Sequence, residues 1–384
     1  MKPRLLFVID EDLYFCKHRL DLARAARDAG FEVLVSTFVQ HHGKQIEEEG
    51  FKLFPIRLRR GLQSPLHDLA SLIELIRLYR REQPDIVHHV ALKQVLFGAI
   101  AARLVGVPMM VNAITGLGFL FHSGTRRARL ILSVIRPVLR WALAHPRSTV
   151  ILENGDDCED LIHAGIIKRS RAVVIHGAGV NVSQFRPSPE PDGVPVVLLA
   201  SRMLWDKGVG EFVQAARLLK GNGIRSRCVL VGMVDKESPS TIPEKQLLQW
   251  EEEGVIEWWG HRDDMADVFA SSHIVVLPSY AEGLPMVLLE GAACARPLIA
   301  TRVRGCQEIV RNGENGLLVP PQNSHLLAQA IITLLHDKPL RDKMGARGRE
   351  IVMHEFRAER IAGETIAVYR QLLGNGRGAS PAHS

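Results

Sequence analysis

The stretch that decides the fold lies at residues 196–208, with the sequence VVLLASRMLWDKG. Its first five residues, Val196–Ala200, form an uncharged apolar run that predicts a buried strand. A short loop containing Arg202 and Lys207 follows, and an amphipathic run from Val209 predicts a helix. The start of such a helix exposes backbone N–H groups, and the helix dipole favours an anion there. Two cations beside it therefore predict a site for a diphosphate.

The same alternation of short apolar runs and longer amphipathic runs extends over most of the 384 residues, and it predicts parallel α/β architecture. The strands predicted in the first half are Leu5–Ile9, Glu32–Ser36, Lys52–Ile56, Ile86–His89, Met109–Asn112, Thr149–Leu152 and Ala172–Ile175. Those predicted in the second half are Val196–Ala200, Arg227–Val231, Ile256–Trp259, Ile274–Pro278, Leu298–Ala300 and Gly316–Val319. We therefore expect two Rossmann-like, doubly wound domains with a cleft between their strand ends.

A linker is predicted at residues 186–193, RPSPEPDG, because three prolines and a glycine follow one another closely. We place the N-terminal domain at 1–186 and the C-terminal domain at 187–355. Residues 356–373 are expected to form a helix that packs back on the N-terminal domain. Residues 374–384 are rich in Gly, Ala, Ser and Pro, which predicts a flexible tail.

The charge of the chain is uneven as well as basic, with a net value of +6. No Asp or Glu occurs from Ile86 to Leu152, a stretch that holds several arginines. Such a stretch predicts an anionic partner, whether a phosphate, an anionic lipid surface or a nucleic acid. Within it, residues 125–144 combine arginines with apolar residues and are expected to form a helix. This helix either lies in a membrane interface or packs on the core with a basic outer face.

Three other features argue against whole classes of protein. The five cysteines are scattered without a CxxC pair, which argues against a zinc site or a disulfide framework. The apolar run at the N-terminus is too short for a signal peptide, so we expect a cytoplasmic location. Leu104–Phe121 is uncharged but interrupted by Pro and Gly, and it predicts a buried strand and a glycine-rich loop rather than a membrane span.

A pair of acids forms the second chemical motif, in EGLPMVLLE at residues 282–290. Pro285 suits the first turn of a helix, which places Glu290 on an otherwise apolar helix. A carboxylate there is costly unless it is paired, and a ribose diol is a suitable partner. The alternative is that Glu290 pairs with a buried Arg and that Glu282 caps the helix.

Arg202, Lys207 and the Glu282…Glu290 spacing resemble the signature of glycosyltransferase family 4, which has the GT-B fold. NGENGLLV at 312–319 is similar to a turn and strand late in that family, and the resemblance runs from Lys2 to about Leu373. It implies a metal-independent, retaining hexosyltransferase without a cofactor, whose co-substrate is a nucleotide sugar, expected to be a UDP-sugar.

The resemblance also implies roles for individual residues. Arg202 and Lys207 bind the diphosphate, Glu282 contacts the donor sugar, and these three are the expected catalytic residues. Glu290 binds the ribose, and the base lies near Trp259–Arg262. The other donor-binding residues implied are Gly283, Leu284, Pro285 and Arg262, with Gly116 and Gly118 of the glycine-rich loop.

Several N-terminal features resemble the subset of the family that builds bacterial surface polysaccharides, such as capsule, O-antigen and exopolysaccharide. They are the His18-Arg19 pair, His88-His89 with Lys93, and TGLGF at 115–119, where Thr115 replaces a His of better-known members. The subset implies an acceptor glycan linked to a polyprenyl diphosphate, and peripheral association with the inner face of the plasma membrane. The acceptor-binding residues expected are His18, Arg19, His88, Lys93, Arg126 and Arg127.

Asp10-Glu11-Asp12 is formally a DxD motif, but we interpret these residues as solvated acids without a metal. The predicted function is thus sugar transfer in surface polysaccharide (including lipopolysaccharide) synthesis, with no nucleic-acid partner. Two alternatives stay open at this point: a GT-B sugar-nucleotide 2-epimerase, and a non-catalytic protein that binds nucleotide sugars or nucleic acid.

Overall fold

The computed structural model describes residues 2–58, 65–116, 126–236 and 238–374. They divide by their contacts into two compact units, the first comprising residues up to Gly179 together with the segment from Ala358, and the second comprising Val180–Arg357. Each unit is built around one parallel sheet.

The first unit has a seven-stranded sheet in the order β3-β2-β1-β4-β5-β6-β7. Its strands are β1 (Arg4–Glu11), β2 (Glu32–Phe38), β3 (Lys52–Pro55), β4 (Ile86–Val90), β5 (Met109–Ile114), β6 (Ser148–Leu152) and β7 (Ala172–Val174). Its helices up to Gly179 are α1 (Asp12–His18), α2 (Leu20–Asp28), α3 (Gly43–Glu48), α4 (Pro65–Glu82), α5 (Leu92–Val105), α6 (Arg126–Leu143) and α7 (Gly155–His163).

The second unit has a six-stranded sheet in the order β10-β9-β8-β11-β12-β13. Its strands are β8 (Val196–Ala200), β9 (Arg227–Val231), β10 (Glu257–Trp258), β11 (Ile274–Leu277), β12 (Leu298–Thr301) and β13 (Gly316–Val319). Its helices are α8 (Val209–Gly221), α9 (Glu244–Glu252), α10 (Met265–Ala270), α11 (Met286–Ala293), α12 (Arg304–Ile309), α13 (Ser324–His336) and α14 (Lys338–Ile351).

Helices cover both faces of each sheet, and this explains the composition of the strands. Phe7 and Val35 belong to the core on one face of the first sheet, whereas Leu6 and Val8 belong to the core on the other. A strand that is buried on both faces is a continuous apolar run rather than an alternating one. The predicted α/β fold class is therefore confirmed.

The order of the strands reverses at one place in each sheet, between β1 and β4 and between β8 and β11. This is the arrangement of the Rossmann fold, and the reversal leaves a crevice at the carboxyl ends of the two strands. The loops that follow β8 and β11 are therefore the first place to look for a ligand site in the second unit.

The boundary between the units lies at Gly179–Val180, before the predicted linker at 186–193. The prediction misplaced it because the proline-rich segment is fastened to the second unit by side chains. The Arg296 guanidinium donates to Ser188 Oγ at 2.7 Å, and Arg341 Nε lies 2.6 Å from Glu190 Oε1. A run of prolines and glycine predicts a linker, but it does not reveal the two buried arginines that hold this segment.

The last helix, α15 (Ala358–Gly374), belongs by its contacts to the first unit. Ile361 and Tyr369 lie in the apolar core beside β1 and β5, and Tyr369 is fully buried. The second unit thus ends at Arg357, two residues beyond the limit set from the sequence. The predicted tail, apart from Gly374, lies outside the described residues.

Candidate functional site

Lys207 and Glu282 contact each other at the carboxyl ends of β8 and β11. Lys207 Nζ lies 2.6 Å from Glu282 Oε1, and the two side chains are only 19% and 11% exposed. Because β8 and β11 flank the reversal of strand order, this ion pair stands where such sheets bind ligands. The structure therefore brings together two of the three expected catalytic residues.

The main chain holds these two loops in register. The carbonyl oxygen of Asp206 accepts hydrogen bonds from the Tyr280 N–H at 2.9 Å and from the Ser279 hydroxyl at 3.2 Å. Gly208, which directly precedes α8 as its N-cap, has a φ of +72°, and a Cβ on it would stand 2.1 Å from the carbonyl oxygen of Pro278. Only glycine permits this approach, so the position of the Lys207 loop depends on it.

Arg202, the other expected phosphate ligand, is paired with an acid that the sequence analysis did not single out. Arg202 Nη1 lies 2.5 Å from Asp235 Oδ2, in the loop that follows β9. The strands β8 and β9 are neighbours, and parallel strands end at the same edge of a sheet. An acid just after a predicted neighbouring strand was a usable signal, although nothing in the sequence linked it to Arg202.

The segment after Glu282 positions the remaining donor-binding candidates. Leu284 is buried, and Gly283 presents its carbonyl oxygen to α12, where a Cβ on Gly305 would lie 2.2 Å from it. Pro285 directly precedes α11 and caps it without a side-chain hydrogen bond, so the alternative of Glu282 as the helix cap is wrong. Glu290 is half-buried in the second turn of α11.

Arg262, expected near the base, follows β10, which neighbours β9 on the side away from β8. Its guanidinium binds Asp264, with Nε 2.7 Å from Oδ1, and its Cζ stands 6.0 Å from the centroid of the Trp259 ring. A shallow cavity of about 440 Å³ adjoins these side chains. Its lining residues are Trp259, Arg262, Asp267, Val268 and Ser271.

His88 requires a correction. Its side chain is 1% exposed, and its Nδ1 forms a hydrogen bond of 2.5 Å with the hydroxyl of Tyr369. Burial lowers the pKa of His88 well below its usual value, so the ring is neutral. A side chain this enclosed cannot reach an acceptor glycan, and its contact instead fastens α15 to the sheet. The sequence places this His near a strand end, but it does not show whether the side chain is a buried structural residue or a ligand-binding one.

Arg19 is also enclosed, at 5% exposure, in the break between α1 and α2. Its guanidinium lies 3.3 Å from the Gly177 carbonyl oxygen and 3.5 Å from Glu153 Oε1. Burial raises the pKa of Glu153 to about 7 although Arg19 opposes the shift. Burial and the neighbouring Arg19 lower the pKa of His18 to about 4. Arg19 is thus part of a buried polar cluster, and His18 beside it is half-buried.

The remaining N-terminal candidates are placed only in part. Lys93 Nζ lies 2.8 Å from Asp68 Oδ1, joining α5 to α4. Gly116 has a φ of +138°, a conformation that favours glycine, whereas Gly118 lies outside the described residues. Arg126 and Arg127 begin α6, but their side chains lie outside the part that the structure describes.

The acidic motif at the end of β1 is not solvated as predicted, because Asp10 and Asp12 are buried. Its carboxylate accepts N–H groups from Gln40, His41 and His42 at 2.7–2.9 Å. Burial alone would raise the pKa of Asp12, but these backbone hydrogen bonds lower it overall. Among the described residues, no group of three or more His, Cys, Asp or Glu side chains is arranged to hold a metal ion. Within the same ranges, no helix is long and apolar enough to cross a bilayer.

Two Rossmann-type sheets, with paired cations and carboxylates in the loops after the strands of the second, are the features expected of a glycosyltransferase of the GT-B fold. Comparison with known proteins agrees: the family described as "Glycosyl transferases group 1" matches residues 182–351, and "Glycosyl transferase 4-like" matches residues 4–154. The chain therefore belongs to the glycosyltransferases, and each of its two units matches one of these two domain models. The predicted family, fold and enzyme class are confirmed.

Relatives of known name span most of the chain. It is 27% identical to the N,N'-diacetylbacillosaminyl-diphospho-undecaprenol alpha-1,3-N-acetylgalactosaminyltransferase of Campylobacter jejuni, over 93% of this chain and 96% of the relative. It is 26% identical to the UDP-Gal:alpha-D-GlcNAc-diphosphoundecaprenol alpha-1,3-galactosyltransferase of Escherichia coli, over 72% and 73%. Anabaena HepE, solved in complex with UDP and glucose, has the same fold, with a TM-score of 0.78, 20% identity and coverage of 96% and 100%.

Proposed function

We propose that this protein transfers a hexose or N-acetylhexosamine from a UDP-sugar to a glycan linked to a polyprenyl diphosphate, with retention of anomeric configuration. The observation that carries the proposal is the Lys207–Glu282 ion pair at the strand reversal, with Arg202 in the same loop as Lys207. The Campylobacter and E. coli relatives, whose names specify diphospho-undecaprenol acceptors, support the acceptor class.

The second unit supplies the donor site in this proposal. The diphosphate lies beside the start of α8, where Arg202 and Lys207 add two positive charges to the dipole of the helix. Glu282 contacts the donor sugar and orients Lys207, and Glu290 accepts hydrogen bonds from the ribose hydroxyls. The amide groups around Gly283 and Leu284 approach the sugar or the phosphate, and the base lies near Trp259–Arg262.

The chemical step needs no protein nucleophile. The bond between the anomeric carbon and the diphosphate oxygen breaks with oxocarbenium character, and Arg202 and Lys207 stabilise the charge that grows on the leaving group. The acceptor hydroxyl forms the new bond on the same face of the sugar. Its proton passes to the departing phosphate, so the products are the elongated glycan and UDP.

The acceptor class implies a membrane, and we place the protein at the anionic inner face of the plasma membrane. The helices α5 and α6 present exposed apolar side chains, with Leu104 57% exposed and Trp141 45% exposed. The Arg103 guanidinium stacks over the Trp141 ring at 4.5 Å. Exposed apolar side chains mixed with arginines suit the interface of an anionic bilayer.

The test begins with a thermal-shift screen of sugar nucleotides, followed by transfer to synthetic polyprenyl-diphosphate glycans with EDTA present. Arg202→Ala and Lys207→Ala should each lower turnover by about 10²–10³-fold, since each removes charge stabilisation from the transition state. Near-normal rates in both variants would refute the proposed site. An epimerised sugar nucleotide formed from donor alone would indicate a 2-epimerase instead.

A further inference from the structure

We propose that Asp235 is a positioning residue that holds the Arg202 guanidinium in place for the donor diphosphate. This inference rests on the proposed function, because it assigns a second residue to the same donor site. Asp235 belongs to none of the motifs that led to the family, and it acts through Arg202 rather than on the donor itself.

The first observation is the contact between the two side chains. Arg202 Nη1 lies 2.5 Å from Asp235 Oδ2, and the side chains are 36% and 22% exposed. An Arg side chain on a loop samples many rotamers, and the conformational entropy that it loses on binding a ligand lowers the affinity. A carboxylate that already fixes the guanidinium removes part of that cost before the donor arrives.

The second observation is that the loop carrying Asp235 is fastened to the loop carrying Arg202. The Met203 N–H donates to the Met233 carbonyl at 3.0 Å, and the Ile242 N–H donates to the Met203 carbonyl at 2.9 Å. A Cβ on Gly232 would stand 1.8 Å from the carbonyl oxygen of Ser201, so the two backbones approach as closely as glycine allows. The carboxylate is therefore presented from a backbone that is fixed relative to Arg202.

The third observation concerns the donors that remain on the guanidinium. A guanidinium carries five N–H groups in a planar fork, and the contact with Asp235 is made through Nη1. The other edges of the fork can still form the bidentate contact that phosphate favours. Lys207 is arranged in the same way, since Glu282 contacts its Nζ at 2.6 Å and an ammonium has three donors. Each phosphate-binding cation is thus held by one carboxylate from a neighbouring loop.

A competing interpretation makes the opposite prediction. If Asp235 were mainly a counterion that the diphosphate must displace, removing it would strengthen nucleotide binding. If it positions Arg202, removing it weakens binding, and only while Arg202 is present.

The experiment is a double-mutant cycle on the full chain, with UDP and GDP as probes in calorimetric titrations. The variants are Asp235→Ala, Asp235→Asn, Arg202→Ala and the double variant Asp235→Ala/Arg202→Ala. We expect D235A to weaken UDP binding by about 3- to 10-fold, because the Arg202 side chain must then be immobilised when UDP binds. D235N keeps an oxygen that accepts the hydrogen bond, so it should recover most of the affinity. The double variant should bind UDP no more weakly than R202A alone.

Asp342→Ala is the matched control, because Asp342 contacts Lys338 on the exposed surface of α14 in the same unit. It should leave UDP affinity within about 2-fold of the unmodified chain. A D235A effect that persists undiminished in the R202A background would show a general structural role and overturn the inference. Tighter UDP binding by D235A would overturn it in favour of the counterion.

Failure of the inference and failure of the proposed function give different results. If the unmodified chain binds UDP and R202A weakens binding while D235A does not, only the role of Asp235 is wrong. If the unmodified chain binds neither UDP nor GDP, the nucleotide-sugar site itself is refuted, and the role of Asp235 with it.

Discussion

Gly208 and Pro278 approach each other so closely that a single methyl group would separate the loops after β8 and β11. The φ of Gly208 is +72°, and its added Cβ would lie 2.1 Å from a backbone oxygen that cannot rotate away. The contact between Lys207 and Glu282 depends on this approach, since Lys207 immediately precedes Gly208. The geometry of the donor site is therefore set partly by a residue without a side chain.

Gly208→Ala should disrupt the donor site. The left-handed conformation costs a residue with a side chain about 1–2 kcal/mol, and the overlap with Pro278 adds to that cost. We expect a lower melting temperature and a loss of UDP binding by calorimetry. Gly221→Ala at the end of α8 is the control, because nothing lies within 4 Å of its added Cβ. Normal UDP affinity in G208A would show that the loop approach is dispensable.

Tyr369→Phe should destabilise the first unit without altering chemistry in the second. The variant removes the hydroxyl that binds His88 Nδ1 and leaves that nitrogen buried without its partner. Losing one partner of a buried hydrogen bond costs about 1–3 kcal/mol. Urea denaturation followed by circular dichroism measures the loss, and UDP affinity should stay unchanged. Arg370→Ala, exposed on the same helix, should stay within about 0.5 kcal/mol of the unmodified chain.

The stability of the first unit should fall as the pH decreases from 6.5 towards 4. Burial lowers the pKa of His89 from 6.5 to about 4, because the ring is fully enclosed between Tyr79 and Asn112. The unfolded chain then binds a proton that the folded chain does not, so the contribution of His89 to stability is complete above pH 6.5 and declines below it. Each such His contributes a slope of up to about 1.4 kcal/mol per pH unit.

Glu153 acts in the opposite direction, because burial raises its pKa to about 7 and its ionisation destabilises the fold as the pH rises above 4.5. Urea denaturation of Glu153→Gln and His89→Asn from pH 8 to pH 4.5 separates the two effects. Below pH 6.5, the fall in the free energy of unfolding with decreasing pH should become shallower in H89N and steeper in E153Q. An unchanged slope in H89N would contradict the assignment to His89.

Trp141→Ala should reduce binding to anionic vesicles. The indole is 45% exposed, and such aromatic groups anchor proteins at the level of the lipid headgroups. Co-sedimentation with phosphatidylglycerol vesicles should fall about 3- to 10-fold, and binding should weaken further as salt is raised. Leu248→Ala is the control, since Leu248 is equally exposed but lies on α9 of the second unit. Equal binding to uncharged phosphatidylcholine vesicles would contradict an anionic membrane partner.

The strands could be predicted from the sequence because burial on both faces of a parallel sheet leaves a continuous apolar run such as Val196–Ala200. Lys207 and Glu282 could be predicted because they follow such strands in order. Asp235 was missed because a pairing between two loops depends on strand order, which local patterns do not contain. His88 and Arg19 were misjudged for a related reason: their burial results from elements far away in sequence, such as α15 and the loop around Gly177.

The placement of α15 has a consequence for synthesis on the ribosome. The Tyr369 ring packs edge-on against Phe31 of the first unit, with 5.7 Å between the ring centroids. Tyr369 lies on a helix that follows the whole second unit in sequence. Residues 180–357, in contrast, form one uninterrupted segment. The later-translated unit can therefore complete its core first, while the nascent N-terminal sheet keeps an open apolar face that a chaperone can bind until residue 374 has left the exit tunnel.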